Sequence, residues 1–175
     1  MKDLDFLPEC FVDTNLTETS LDVKVNHQLS CTKVTGVMEN KKIDSFAVGI
    51  IDDDKRKTKY VDEFSLIASK GHIKLLKHPE RHHYLIIISP AIDRFILDCA
   101  KDSNINISTF NLPNKLKDFT DESKKVTSNK DDRFKQLFKV LFNINNEFKT
   151  FKILLNYLKT SRYDSAKSEL LKLFQ

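Results

Sequence analysis

The sequence predicts an α/β fold: a small, mostly parallel sheet with flanking helices and a helical C-terminal segment. Three observations lead there. Residues 46–51 (Phe-Ala-Val-Gly-Ile-Ile) form a continuous apolar run of strand length, the pattern of a strand covered on both faces. Strand-like runs alternate with helical periodicity as far as about residue 104, and from about residue 130 only helical periodicity continues. The chain has 175 residues, 40% hydrophobic and 31% charged, which is enough for one ordinary core and is globular in composition.

Residues 9–13 (Glu-Cys-Phe-Val-Asp) read as a short strand ending on an acid, with Thr14, Asn15 or Thr17 capping a short helix behind it. Residues 21–25 alternate with period two, as a half-buried strand does. Asn26 or Ser30 opens a helix through about Asn40. The apolar run at 46–51 leads into Asp52, Asp53 and Asp54. Residues 60–68 read as polar helix or loop. Residues 73–76 and 84–88 read as two strands of a hairpin, joined by a histidine-rich turn. Ser89 and Pro90 then take the cap and first-turn places of a helix marked by Ile92, Phe95, Ile96 and Cys99. The organisation expected is an α/β domain over residues 1–104, a polar connector over 105–129 and helices over 130–175. In that last segment Phe134, Leu137, Phe138 and Leu141 mark the first helix, Phe148, Phe151, Leu154, Leu155 and Leu158 the second, and Leu170, Leu171 and Phe174 the third.

Several function classes are excluded. Only 3 glycines are present, and neither a Walker-type phosphate loop nor a dinucleotide-binding glycine fingerprint occurs. Cys10, Cys31 and Cys99 are far apart and odd in number, which indicates no zinc ribbon and no disulfide framework, and fits a reducing cytoplasm. The N-terminal residues carry acids where a secretory signal would be basic and then apolar. No run approaches the length of a membrane span. The expected location is therefore cytoplasmic, with no membrane partner. A net charge of +4 permits a nucleic-acid partner without requiring one.

The acids at the strand ends carry the functional reading. In open α/β sheets ligands bind outside the carboxyl ends of the strands. Asp13 ends the first expected strand, and Asp52 and Asp54 follow the buried one on the same side of an extended chain. Carboxylates brought together repel unless a cation neutralises them, and hard oxygen donors suit Mg²⁺ or Mn²⁺. Such an ion polarises a phosphate and activates water. Against this stands the turn reading, in which the aspartates bond their own backbone and pair with Lys55 and Arg56.

An apolar strand ending in an acid, then a buried strand running into Asp-x-Asp, resembles the Toprim domain. That is the metal-binding module of topoisomerases, primases and the overcoming-lysogenization-defect nucleases. The resemblance covers about residues 8–98. In that family the first strand ends in a glutamate, usually followed by glycine; here Asp13-Thr14 stands there. The resemblance implies Asp13, Asp52 and Asp54 as ligands of Mg²⁺ or Mn²⁺, and Asp93 on an acid-bearing helix; in the catalytic set read from it, Lys55 or Arg56 contacts the phosphate. It implies a phosphodiester-cleaving module, a subunit of a larger complex. A second resemblance, of residues 11–15 (Phe-Val-Asp-Thr-Asn) to the opening of PIN-domain nucleases, also puts metal on Asp13, but no second signature follows.

Arg56, Arg81 and His82 are candidate nucleic-acid contacts, and the lysines at 135, 139, 149, 152 and 159 form either a phosphate-tracking or a solvated face. His78, His82 and His83 read as a hairpin tip before a metal cluster, because adjacent His82 and His83 point to opposite sides of a strand. His27 reads as a capping or hydrogen-bonding residue before a general base, and Cys31 as a packed thiol before a nucleophile. The alternative from another class is a non-catalytic interaction subunit whose Phe- and Leu-rich helices bind a protein partner or a second copy.

Overall fold

A computed structural model describes residues 2–53 and 58–175. In chain order the strands are β1 (Lys2–Asp3), β2 (Phe6–Pro8), β3 (Lys24–Val25), β4 (Ala47–Asp52), β5 (Ser65–Lys70), β6 (Ile73–Lys77) and β7 (His83–Ile88). The helices are α1 (Phe11–Leu21), α2 (Cys31–Lys41), α3 (Lys59–Asp62), α4 (Ile92–Asp102), α5 (Leu116–Ser123), α6 (Asp132–Ile144), α7 (Asn146–Ser161) and α8 (Lys167–Lys172).

The α/β class is as expected, but the sheet is mixed. Its order is β2-β4-β7-β6-β5. The pairs β2/β4 and β4/β7 are parallel, while β7/β6 and β6/β5 are antiparallel. The histidine-rich hairpin accounts for one antiparallel pair. The other comes from β5, where a polar helix or loop was expected. Its residues are mostly exposed or half-buried, so it lacks the apolar signal of a core strand and owes its form to pairing with β6.

Strand alternation builds two cores. On one face Phe6, Val48, Ile50, Tyr84 and Ile86 meet α1, α4, α6 and α7. On the other, Leu7, Ala47, Ile51, Leu85 and Ile87 meet Val34, Met38, Tyr60 and Val61 of α2 and α3. The result is three layers. Gly49 lets α2 approach the sheet closely, since a Cβ there would lie 2.7 Å from Leu85 and 2.8 Å from Val34. Gly49→Ala is therefore expected to cost about 1–3 kcal/mol through overpacking, read as a lower urea midpoint at unchanged slope.

Other boundaries move for local reasons. Residues 9–13 form no strand. Phe11, Val12 and Asp13 open α1, and Val12 and Leu16, four apart, both join the core. The strand preceding them is β2, an edge strand, where Pro8 removes no ladder donor that a neighbour needs. Only Lys24 and Val25 of residues 21–25 are extended, paired with β1 in a separate two-stranded sheet. The N-cap of α4 is Ala91 rather than Ser89, and the Ser89–Pro90 bond is cis. The connector is folded: it holds 3-10 turns at Ile107–Phe110 and Val126–Lys130 as well as α5. Asn15 of α1 binds it in place by donating its amide to the carbonyls of Ser128 (2.8 Å) and Asp131 (3.0 Å).

Among the described residues, no helix is long and apolar enough to cross a membrane.

Candidate functional site

Two parallel strand pairs place the carboxyl ends of β2, β4 and β7 side by side, and acids collect there. The residue that follows β2 is Glu9, not Asp13. Its backbone continues the pairing, donating to Ile50 O at 3.0 Å. Its side chain turns toward β4, where Glu9 Oε2 accepts from the Asp52 N–H at 3.2 Å. Asp52, the last residue of β4, reaches across to α4 and accepts from the Ile92 N–H at 2.9 Å. The neighbouring Asp93 is buried in the first turn of α4, and among the described residues no hydrogen-bond partner meets its Oδ1. Glu9, Asp13, Asp52 and Asp93 are only 1%, 1%, 7% and 8% exposed, an unusual burial for four carboxylates.

Asp13 keeps its place near this edge but loses its role as a strand terminus. It is the third residue of α1, and its Oδ2 accepts from the Cys10 N–H at 3.1 Å, closing the first helical turn. Burial pushes the Cys10 thiol well up, and the carboxylates of Asp13 and, more weakly, Asp52 act in the same sense. Asp53 turns aside to Lys74 of β6, with 2.6 Å between Oδ2 and Nζ. Asp54, Lys55 and Arg56, all expected in or beside the site, lie outside the described residues.

The other candidates are elsewhere. Arg81 and His82 precede β7 at its amino end, whereas Asp52 pairs with Ile88 at its carboxyl end. The five steps from His83 to Ile88 put them about 17 Å from the acids. The sequence could not show this, because it does not say which end of a hairpin strand meets the acids. Arg81 is committed to structure: it donates to Glu39 O at 3.1 Å and lies over the Tyr60 ring, 5.4 Å from its centroid. His82 is exposed, with its ring edge on Tyr163, and His83 is buried, as their alternation requires. His83 Nδ1 meets the Tyr60 hydroxyl at 2.6 Å and Nε2 meets the carbonyls of Lys42 and Ser45, which makes Nε2 the protonated nitrogen. Burial holds its pKa below the usual imidazole value. His78 is buried too, accepting at Nδ1 from the Glu80 and Arg81 N–H groups and facing Glu63 through Nε2. His78 and His83 are packing elements.

His27 stacks on Phe11, with ring centroids 4.6 Å apart, and its Nδ1 lies 2.7 Å from Thr14 Oγ1. Burial lowers its pKa. It thus fastens the start of α1, as the hydrogen-bonding reading expected. Cys31 is buried among the residues of α2 that face the sheet. Of the C-terminal lysines, Lys135, Lys139 and Lys152 are exposed, while Lys159 donates to Leu21 O at 3.1 Å.

Glu9 is the strand-end acid that sequence reasoning missed. The available signal was the apolar residues Phe6 and Leu7 immediately before it, obscured by Pro8. Among the described residues, a group of three metal-type ligand atoms within 4.8 Å of one another occurs away from the strand ends, at His72, Cys99 and Glu147. Compared with known proteins, the chain matches no family model, no curated protein and no solved structure.

Proposed function

We propose that the chain is a metal-dependent, phosphodiester-cleaving module of Toprim type, working as a subunit of a larger complex. The observation that carries this reading is the hydrogen bond from the Asp52 backbone N–H, at the end of β4, to the Glu9 carboxylate, at the end of the adjacent parallel strand β2. A glutamate at the first strand's end beside an aspartate at the next is the pairing that the Toprim resemblance calls for. Glu9 answers it better than Asp13 does.

The donor set is all carboxylate oxygen, which fits Mg²⁺ or Mn²⁺ and not a soft cation. Glu9 and Asp52 would hold the ion, with Asp54 completing the Asp-x-Asp pair and Asp93 adding a buried acceptor. When bound, the ion supplies polarisation of a phosphate and activation of water. The chain's own contribution is to fix the donors: the Asp52 N–H orients Glu9, and the Ile92 N–H at the start of α4 orients Asp52.

A second reading has its own support. Asp52 also serves α4 as an N-terminal acceptor and Asp53 pairs with Lys74, so the acids have structural duties that a non-catalytic interaction subunit would keep. Melting curves with and without millimolar Mn²⁺ separate the two. The wild type should melt higher with the ion, since a ligand held only by the native state raises its stability. The double variant Asp52→Asn/Asp54→Asn should show no such rise. Without metal it should melt at the same temperature or slightly higher, because repelling charges are gone while the amide oxygen at position 52 can still accept from the Ile92 N–H. Equal shifts in both proteins, or none in either, would favour the interaction subunit.

A further inference from the structure

We propose that His72, Cys99 and Glu147 form a second metal site, for a thiophilic divalent cation of the zinc class, independent of the strand-end acids. The three residues come from separate elements. His72 lies in the β5–β6 turn, Cys99 in α4 and Glu147 in the first turn of α7. One ligand atom from each lies within 4.8 Å of the others. His72 Nδ1 and Glu147 Oε2 are 3.1 Å apart, close to the edge of a tetrahedron whose metal–ligand bonds are about 2.0–2.3 Å. Cys99, within 4.8 Å of both, needs to close by at most about 1 Å to join them.

The surroundings are those of a ligand set and not of a chance meeting. His72 Nε2 faces Asp98 Oδ2 at 3.3 Å, and Asp98 is itself held by Arg94 Nε at 3.1 Å. A carboxylate on the far nitrogen of a ligating imidazole fixes its tautomer and leaves Nδ1 for the metal. Glu147 is aimed by the His72 backbone N–H, 2.7 Å from Oε2. Gly71, at φ +55°, leaves the space that the Glu147 carboxylate fills; a Cβ there would overlap it. Cys99 is fully buried, while the side chains of His72 and Glu147 are 18% and 20% exposed and give an ion its way in. Imidazole, thiolate and carboxylate together favour zinc over the hard ions suited to the strand ends.

Binding takes the thiol proton of Cys99 to solvent and sets the ion where His72 Nδ1 and Glu147 Oε2 face each other; a solvent molecule takes the fourth position. The bound ion would join the sheet hairpin to the C-terminal helices.

The test is a titration of the full-length, chelator-stripped chain with Co²⁺, then Zn²⁺. One equivalent of Co²⁺ should produce a thiolate-to-cobalt charge-transfer band that Zn²⁺ abolishes. Cys99→Ser should lose the band, and the double variant Cys10→Ser/Cys31→Ser should keep it. Asp98→Asn, at a more exposed position, should keep the stoichiometry and weaken affinity about 10- to 100-fold. Should Cys99→Ser fail to fold by circular dichroism, Gly71→Ala, which displaces Glu147, serves in its place and should weaken the band. Absence of a band in the wild type, or a band that persists in Cys99→Ser or is unmoved in Gly71→Ala, overturns the proposal. Asp52→Asn should leave the band intact, so failure of the strand-end reading and failure of this one are told apart.

Discussion

A chain ended after Asn129 is expected to aggregate and to show no cooperative unfolding transition. Residues 130–175 are part of the main core and not a separate helical unit. Phe134, Phe138, Phe148, Phe151, Leu154 and Leu158 are all fully buried and share one cluster with Phe6, Val48 and Ile86 of the sheet. Phe148 stacks on Phe95 of α4 with centroids 4.7 Å apart. At about 1.5–3 kcal/mol for each such side chain, these six alone contribute an amount comparable to the roughly 5–15 kcal/mol by which a domain is stable. The polar ties agree. Arg162 pairs with Asp3 and Asp5, and the Tyr163 hydroxyl accepts from the Phe46 N–H at 3.0 Å. Solubility on expression and a denaturant titration check this; a soluble 1–129 fragment with a single sigmoidal transition would contradict it. The buried cluster thus runs across the boundary expected at residue 104.

If the proposed metal-dependent cleavage is this chain's activity, Glu9→Gln should lower it by on the order of a thousandfold, because several kcal/mol of charge stabilisation would then pass through that carboxylate. The fold should survive, since Gln still offers an oxygen to the Asp52 N–H. Asp13→Asn should behave differently. It retains an acceptor for the Cys10 N–H but removes a negative charge from the first turn of α1, costing about 0.3–1 kcal/mol of stability. Its loss of cleavage should be less than about tenfold, roughly 1.4 kcal/mol in the barrier. The comparison needs only initial rates on a phosphodiester substrate with Mn²⁺ and a melting curve for each variant. If Asp13→Asn abolishes cleavage and Glu9→Gln spares it, the ligand assignment reverts to Asp13.

What the sequence determined by itself was whatever depends on local periodicity. The apolar run at 46–51 becomes β4, with every residue buried, and the spacing of Phe134 through Leu141 becomes the inward face of α6. The hairpin of β6 and β7, the Ser30 cap of α2 and the opposite facing of His82 and His83 are also local. Tertiary structure decided the rest. In residues 9–13, a β-prone Phe-Val pair competes with a helix start, and packing of Val12 and Leu16 under the sheet settled it for the helix. That one outcome moved the strand-end acid from Asp13 to Glu9. Strand β5 exists because β6 offers it hydrogen bonds, which no propensity records. His72, Cys99 and Glu147 are brought together only by three elements packing on one another. Contacts between residues so far apart in the chain leave no spacing to read, whereas a helix or strand repeats its pattern every few residues.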